Sequence, residues 1–353
     1  MNKLVFNKTK KLMMHNIKGV LFSTGSCGLK EKNKKDLVIV QLDKNSKVSA
    51  VFTNSKTIAE PVKWSKKNIN NDIRAIVVNS GNANAMTGKK GFDSIKKYTN
   101  IIAKKINCSS KNILVASTGV IGEQLNYKKI NAAIPKLLEK SKKKCCSWNS
   151  FCQSIMTTDT VPKFATKKIK FGKETVYISG IAKGSGMIHP NMGTMLAYIF
   201  IEAPLKKKDL KNMLMKHIDS TFNSISVDGD TSTNDTIMLF STGLKNQKIT
   251  MNNNLLKKIS ARVNDIMLSL SKQIVSDGEG ISKLIEVTVS NAKNKIQASN
   301  VAFSIAESTL VKTAITGEDA NWGRIVMAIG KADKHIYQNK IIIKFGNSVV
   351  AKK

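Results

Sequence analysis

Gly180-Ile181-Ala182-Lys183-Gly184-Ser185-Gly186-Met187-Ile188-His189-Pro190-Asn191-Met192-Gly193-Thr194-Met195-Leu196 joins a glycine-rich loop to an apolar run, Met195 to Ile201. Gly180, Gly184 and Gly186 let the backbone come close to another group. Neither the GxxxxGK[ST] nor the GxGxxG spacing of a nucleotide-phosphate loop is present. Lys183 is poised over the space those glycines leave. Thr194 opens an apolar strand expected over 194–202, an unusual place to present a hydroxyl. The best candidate boundary in the chain therefore falls near 190–195, and it is chemical as much as structural.

Outward from this stretch the pattern is mixed α and β. Residues 36–42, 74–79, 112–116 and 236–241 are short and β-branched and read as strands, as does 340–345 near the end of the chain. Leu210, Met213, Leu214, His217 and Ile218 recur at helical spacing. So do Leu255, Leu256, Ile259, Val263, Ile266, Met267, Leu270 and Ile274. Both stripes read as core faces, and His217 as a packed histidine. No repeat of solenoid length is evident.

Further segments beside the strands are rich in Gly, Thr, Asn and Asp, the composition of loops where sites are built. Asn79 to Ala85 (NSGNANA) reads as an amide-rich turn. Ala116 to Gly122 (ASTGVIG) holds a Thr118-Gly119 step, which can aim successive N–H groups into a pocket or make a plain turn. Met156 to Lys163 (MTTDTVPK) sets three hydroxyls around Asp159. Asp228, Asp230 and Asp235 in SVDGDTSTND invite a cation, but the order of an EF-hand loop is missing, and a self-bonded polar turn is the expectation. Gly278 and Gly280 flank Glu279 at the end of the long helical stripe; a helix C-cap explains the glycines but not the carboxylate. Arg324, one of three arginines, follows Glu318 and Asp319 and suggests an ion pair with one of them.

Composition narrows the function. The chain has 353 residues, with 58 Lys and Arg against 24 Asp and Glu, for a net charge of +34. Such a balance raises nucleic acid or an anionic membrane surface as a partner. Arg, the residue suited to forked phosphate and guanine contacts, is nearly absent, and the lysines are spread end to end. The charge reads as compositional background that still draws anionic small molecules. Cys27, Cys108, Cys145, Cys146 and Cys152 make no metal spacing and read as free thiols of a reducing, cytoplasmic compartment. The first thirty residues hold no sustained apolar segment, and the longest apolar run is far short of a membrane span. No metal, cofactor or membrane partner is expected.

Taken together, NSGNANA, ASTGVIG, IMTTDTVPK, GIAKGSGMIHPNMGTML, SVDGDTSTND, QIVSDGEGISKLIEV and VKTAITGEDANWGRI resemble the ornithine acetyltransferase (glutamate N-acetyltransferase) family of arginine biosynthesis. They occur in the family's order, from about residue 18 to about 331. The resemblance implies an α+β fold, a layered α/β/β/α sandwich. It implies self-cleavage at Gly193–Thr194, giving an α chain of 1–193 and a β chain of 194–353 that assemble as an α2β2 heterotetramer. Cleavage frees the Thr194 α-amine, whose reference pKa of about 7.7–8.0 suits a local base for the hydroxyl. The implied reaction is acetyl transfer from N-acetylornithine to glutamate through acetyl-Thr194, with acetyl-CoA left open as a second donor. Thr118 and Gly119 would form the oxyanion hole, a contribution of ~3–4 kcal/mol per donor. Thr157, Lys183, Thr194 and Glu279 would line the substrate site, Lys183 on the α-carboxylate both amino acids share and Glu279 near the ornithine amine. The chain departs from the family in having Gly193 where Ala is usual and Met86 where Cys is frequent. It also lacks, before Lys353, the family's closing segment with the Asn and the Ser or Thr that complete the site.

Two other readings remain at this stage. Related folds host self-cleaving aminopeptidases with an N-terminal nucleophile, distinguished by peptide hydrolysis. A Lys-rich nucleic-acid-binding protein would show steeply salt-dependent binding to DNA or RNA.

Overall fold

The structure is a computed structural model that describes residues 14–31, 33–143, 146–189, 195–242, 249–333 and 335–352. The apolar runs are solid because their strands are buried on both faces. In β2 (Leu37–Leu42), Val38, Val40 and Leu42 face one core while Leu37 and Ile39 face another. The same split holds in β4 (Ala75–Asn82) and β5 (Ile113–Val120). With β1 (Val20–Gly25) they form a sheet of order β1-β2-β4-β5, parallel only between β4 and β5.

A second sheet has the order β3-β9-β8-β7-β6. Its strands are β3 (Lys47–Phe52), β6 (Lys163–Phe171), β7 (Glu174–Lys183), β8 (Leu196–Ile201) and β9 (Thr236–Ser241). Only β8 and β9 run parallel. Leu196, Tyr198 and Phe200 of β8 meet Val38, Val78 and Leu114 of the first sheet, so the sheets pack face to face. The two sheets thus bury their inner faces in one shared core.

Helices close the outer faces. On the first sheet lie α1 (Glu60–Asn68), α2 (Gly88–Ile106) and α3 (Tyr127–Lys142), burying Trp64, Tyr98, Ile102 and Ile134. On the second lie α5 (Lys207–His217) and α6 (Asn253–Val275), whose expected stripe, apart from the half-buried Leu256, is buried over β6 and β7. α6 approaches closely because β7 has Gly180 beneath it; a Cβ there would stand 2.6 Å from Ile266 Cγ2. The α/β/β/α sandwich is as expected. α4 (Trp148–Ile155) packs Trp148, Phe151 and Ile155 into the core between the sheets.

The remaining elements are α7 (Lys295–Ala306), α8 (Thr309–Thr316), α9 (Trp322–Gly330) and the hairpin β10 (Ile342–Phe345) with β11 (Ser348–Lys352). They gather around a smaller core of Val301, Ile305, Val311, Ala328, Ile329 and Ile343. Among the described residues no helix is long and apolar enough to cross a membrane.

Candidate active site

Strand register brings the singled-out segments together. β7 ends at Lys183, which pairs with Leu196 of β8, and Leu196 in turn pairs with Thr236 of β9. The expected cleavage pair, Gly193 and Thr194, lies outside the described residues. Its successor, Met195, is fixed. The Met195 N–H donates to Asp235 Oδ1 at 2.8 Å, and its carbonyl accepts from Thr236 N at 3.1 Å. Met195 is thus anchored beside Leu196, the partner of Lys183.

Lys183 is 2% exposed, and its Nζ donates to Thr118 Oγ1 at 3.1 Å. Burial holds its pKa below the ordinary lysine value; Asp159 opposes that most, with Asp235 and Glu279 adding to it. Because Thr118 Oγ1 already accepts from an ammonium, its own O–H is left to donate, and the charge-assisted bond polarises it. Asp235 is fully buried, and burial lifts its carboxyl well above the carboxylate range.

Thr118 and Gly119 lie in β5, not in a turn, and Asn79 to Asn82 likewise extends β4, so both segments are strand where a turn was expected. The reason is tertiary. Side chains that cap turns elsewhere here bond across the two strands, as in Ser117 Oγ to Asn79 Oδ1 at 2.6 Å. The parallel register breaks at Gly81–Asn82, opposite Gly119. Gly119 takes φ +132°, and a Cβ there would stand 2.3 Å from the Gly81 carbonyl carbon. Only glycine fits this crossing. Gly119 itself is exposed at the end of the strand.

A cluster that sequence reasoning did not assign sits beneath Lys183. Lys163 is fully buried, and its Nζ reaches Asp159 Oδ1 at 2.7 Å and Asp277 Oδ2 at 2.6 Å. Asp159 also accepts from Gly184 N at 2.7 Å and Thr157 N at 3.1 Å. Burial alone would raise the Asp159 pKa, but the Lys183 and Lys163 ammoniums outweigh it and hold the carboxyl below its usual range. A lysine in a lysine-rich chain carries no signal of burial. Its one hint in the sequence was the TTDTVPK motif itself.

Glu279 is exposed and borders Gly186, where a Cβ would lie 2.7 Å from the Glu279 carboxyl carbon. Its N–H donates to Ser185 O at 3.0 Å. Glu279 also lines one wall of a cleft of about 1200 Å3, with His189, Ser226, Lys283, Glu307 and Lys312 among the others. Thr118, Thr157 and Lys183 do not line that cleft. Thr157 is joined to the cluster through its backbone, its side chain exposed.

The remaining expectations divide. Asp228 accepts from the backbone N–H groups of Met187 and Ile188, so SVDGDTSTND braces the loop before the cleavage pair. No group of metal-ligating side chains occurs among the described residues. Arg324 does not pair with Glu318 or Asp319. Its Nη1 donates to Leu310 O at 2.8 Å, and Glu318 instead pairs with Lys283, because α9 turns the guanidinium toward α8. His217 is packed, with Nε2 on Ser260 Oγ at 2.8 Å. Cys27, Cys108, Cys146 and Cys152 are free thiols; Cys145 lies outside the described residues.

Comparison with known proteins gives concordant matches. The model of the ArgJ family matches residues 21–353. The chain is 44% identical over 342 residues to the arginine biosynthesis bifunctional protein ArgJ of Bradyrhizobium diazoefficiens, covering 95% of this chain and 82% of that protein. Among solved structures it is similar to ArgJ of Bacillus halodurans, at 34% identity and TM-score 0.44. That match covers 50% of this chain and 91% of the solved one. It is also similar to the ornithine acetyltransferase of Mycobacterium tuberculosis solved with ornithine, at 26% identity and TM-score 0.43, covering 49% and 91%.

Proposed function

Since the chain belongs to the ArgJ family, we propose that Thr194 is the acetyl-carrying nucleophile of its active site. The chain is an ornithine acetyltransferase of arginine biosynthesis, an acyltransferase that acts on N-acetylornithine and glutamate. The aminopeptidase and nucleic-acid readings are not favoured.

In the first half-reaction Thr194 Oγ attacks the acetyl carbonyl of N-acetylornithine. A C–O bond forms, the C–N bond breaks, and the hydroxyl proton passes through the Thr194 α-amine to the departing ornithine nitrogen. In the second, the glutamate amine attacks the ester, and the proton returns to Thr194 Oγ. The oxyanion of each tetrahedral intermediate is met by Thr118 and Gly119. Lys183 takes the α-carboxylate common to both amino acids, and Glu279 stands toward the ornithine side-chain ammonium. The observation that carries this reading is the buried bond from Lys183 to Thr118, which joins the proposed carboxylate-binding cation to the proposed oxyanion donor. Cleavage at Gly193–Thr194, an α chain of 1–193 with a β chain of 194–353, an α2β2 assembly in the cytoplasm and use of acetyl-CoA as a second donor belong to the same proposal.

The test is acetyl transfer from N-acetylornithine to glutamate by the purified chain and by Thr194→Ala. The variant is expected to remain uncut and inactive. A Thr194→Ala protein that still transfers acetyl overturns the proposal.

A further inference from the structure

Four charges are sequestered together: Lys163 and Lys183, each at most 2% exposed, with Asp159 and Asp277, each below 9%. A buried ion pair is a poor way to gain stability, because its desolvation offsets its attraction, and an apolar replacement of equal volume commonly folds as well. What a fully satisfied buried network does supply is a fixed geometry. The bonds here reach the segments of Thr157, Lys183 and Glu279. Asp159 takes the N–H of Thr157 and the N–H of Gly184, next to Lys183. Asp277 takes Thr160 N at 3.0 Å, and its carbonyl accepts Ser185 Oγ at 2.6 Å. Ser185 O then accepts Glu279 N. Lys163 bridges the two carboxylates from the first residue of β6.

We propose that Lys163, with Asp159 and Asp277, is the positioning residue of the active site: its ammonium locks the Thr157, Lys183 and Glu279 segments into one arrangement and thereby sets affinity for the amino-acid portion shared by donor and acceptor. This rests on the acetyltransferase reading above. Lys163 touches no substrate in this arrangement; it acts through Lys183 and Glu279. The three segments come from the ends of α4, β7 and α6, which are far apart in sequence, so no local turn could hold them in register. This cluster bonds to all three.

The experiment compares the full-length chain with Asp159→Asn, Lys163→Met and Ser185→Ala, measuring kcat and KM for N-acetylornithine and for glutamate. Rates are normalised to the fraction of chains that become acetylated. Asp159→Asn and Lys163→Met should raise both KM values at least about tenfold, with a smaller fall in normalised kcat. Ser185→Ala keeps every charge and removes one hydroxyl; it should raise both KM values about fivefold without altering the melting temperature by more than a few degrees. A merely structural role would reduce the acetylatable fraction and leave KM unchanged, and that result overturns the inference. If the charge variants do not fold, Ser185→Ala decides alone, an unchanged KM counting against the inference. A wild-type chain that transfers no acetyl group fails differently, removing the acetyltransferase reading and the inference that rests on it.

Discussion

Lys183, paired in register with Leu196, and Asp235, bonded to Met195, are both sealed from water, and burial drives them in opposite directions. Lys183 must be a cation to hold a carboxylate. Its lowered pKa means that KM for both substrates should rise, as pH climbs, before the ordinary lysine range is reached. The groups that face it are Asp159, Lys163, Asp235 and Glu279, and Asp159 is the largest that keeps it charged. Asp159→Asn should therefore move the rise in KM to lower pH; a profile that does not move contradicts this account of Lys183.

Burial raises the pKa of Asp235. Its raised folded pKa means the native state holds the proton more tightly than the unfolded chain does. Its contribution to stability is thus complete at low pH and is lost as pH rises above about 3.9 toward the raised value. Asp235→Asn retains an acceptor for Met195 N and should leave urea stability at neutral pH near wild type or above it. Asp235→Ala orphans a buried N–H and should cost about 1–3 kcal/mol. The reverse order would show that Asp235 is ionised in the fold.

At the scale of elements, the crossing of β4 and β5 is the most constrained point of the site. Gly119→Ala must place a methyl group against the Gly81 backbone in a conformation that L-residues rarely adopt. A loss of at least about 2 kcal/mol in stability is expected, together with loss of transfer, because the strands must separate. A stable and active Gly119→Ala enzyme would show that the crossing is not needed. Four of the interior strands were legible in the sequence for a simple reason, while interior β7 was not, its Gly180 to Lys183 end having the composition of a glycine-rich loop. β2, β4, β8 and β9 are buried on both faces and read as unbroken apolar runs. The edge strand β6 was not, since Lys167, Lys168 and Lys170 turn it toward solvent and erase its alternation. β1 and β3 are edge strands too, and half-buried at several positions. Lys183 and Glu279 stood out in the sequence as candidates because glycines flank them. Lys163 was not, because its partners are 4 and 114 positions away and only the folded chain brings them together.

At the scale of the molecule, the expected cut falls in the sequence between two neighbouring strands of one sheet, β7 and β8. β3, β6 and β7 precede Gly193–Thr194 and β8 and β9 follow it, and the order β3-β9-β8-β7-β6 interleaves the two parts. β8 is bonded to β7 on one side and β9 on the other. The fragments of a cleaved chain should co-elute from a sizing column in native buffer and separate only in denaturant. Fragments that part without denaturant would contradict this topology. Interleaving would let a cut chain keep Met195 buried in the core, 1% exposed.

The most direct measurement is the intact mass of the chain after brief exposure to N-acetylornithine and an acid quench. The account predicts two fragments divided at Gly193–Thr194, the later one heavier by a single acetyl group that maps to Thr194 and disappears when glutamate is added, with N-acetylglutamate formed. An uncut chain, or an acetyl group carried on any other residue, would contradict it.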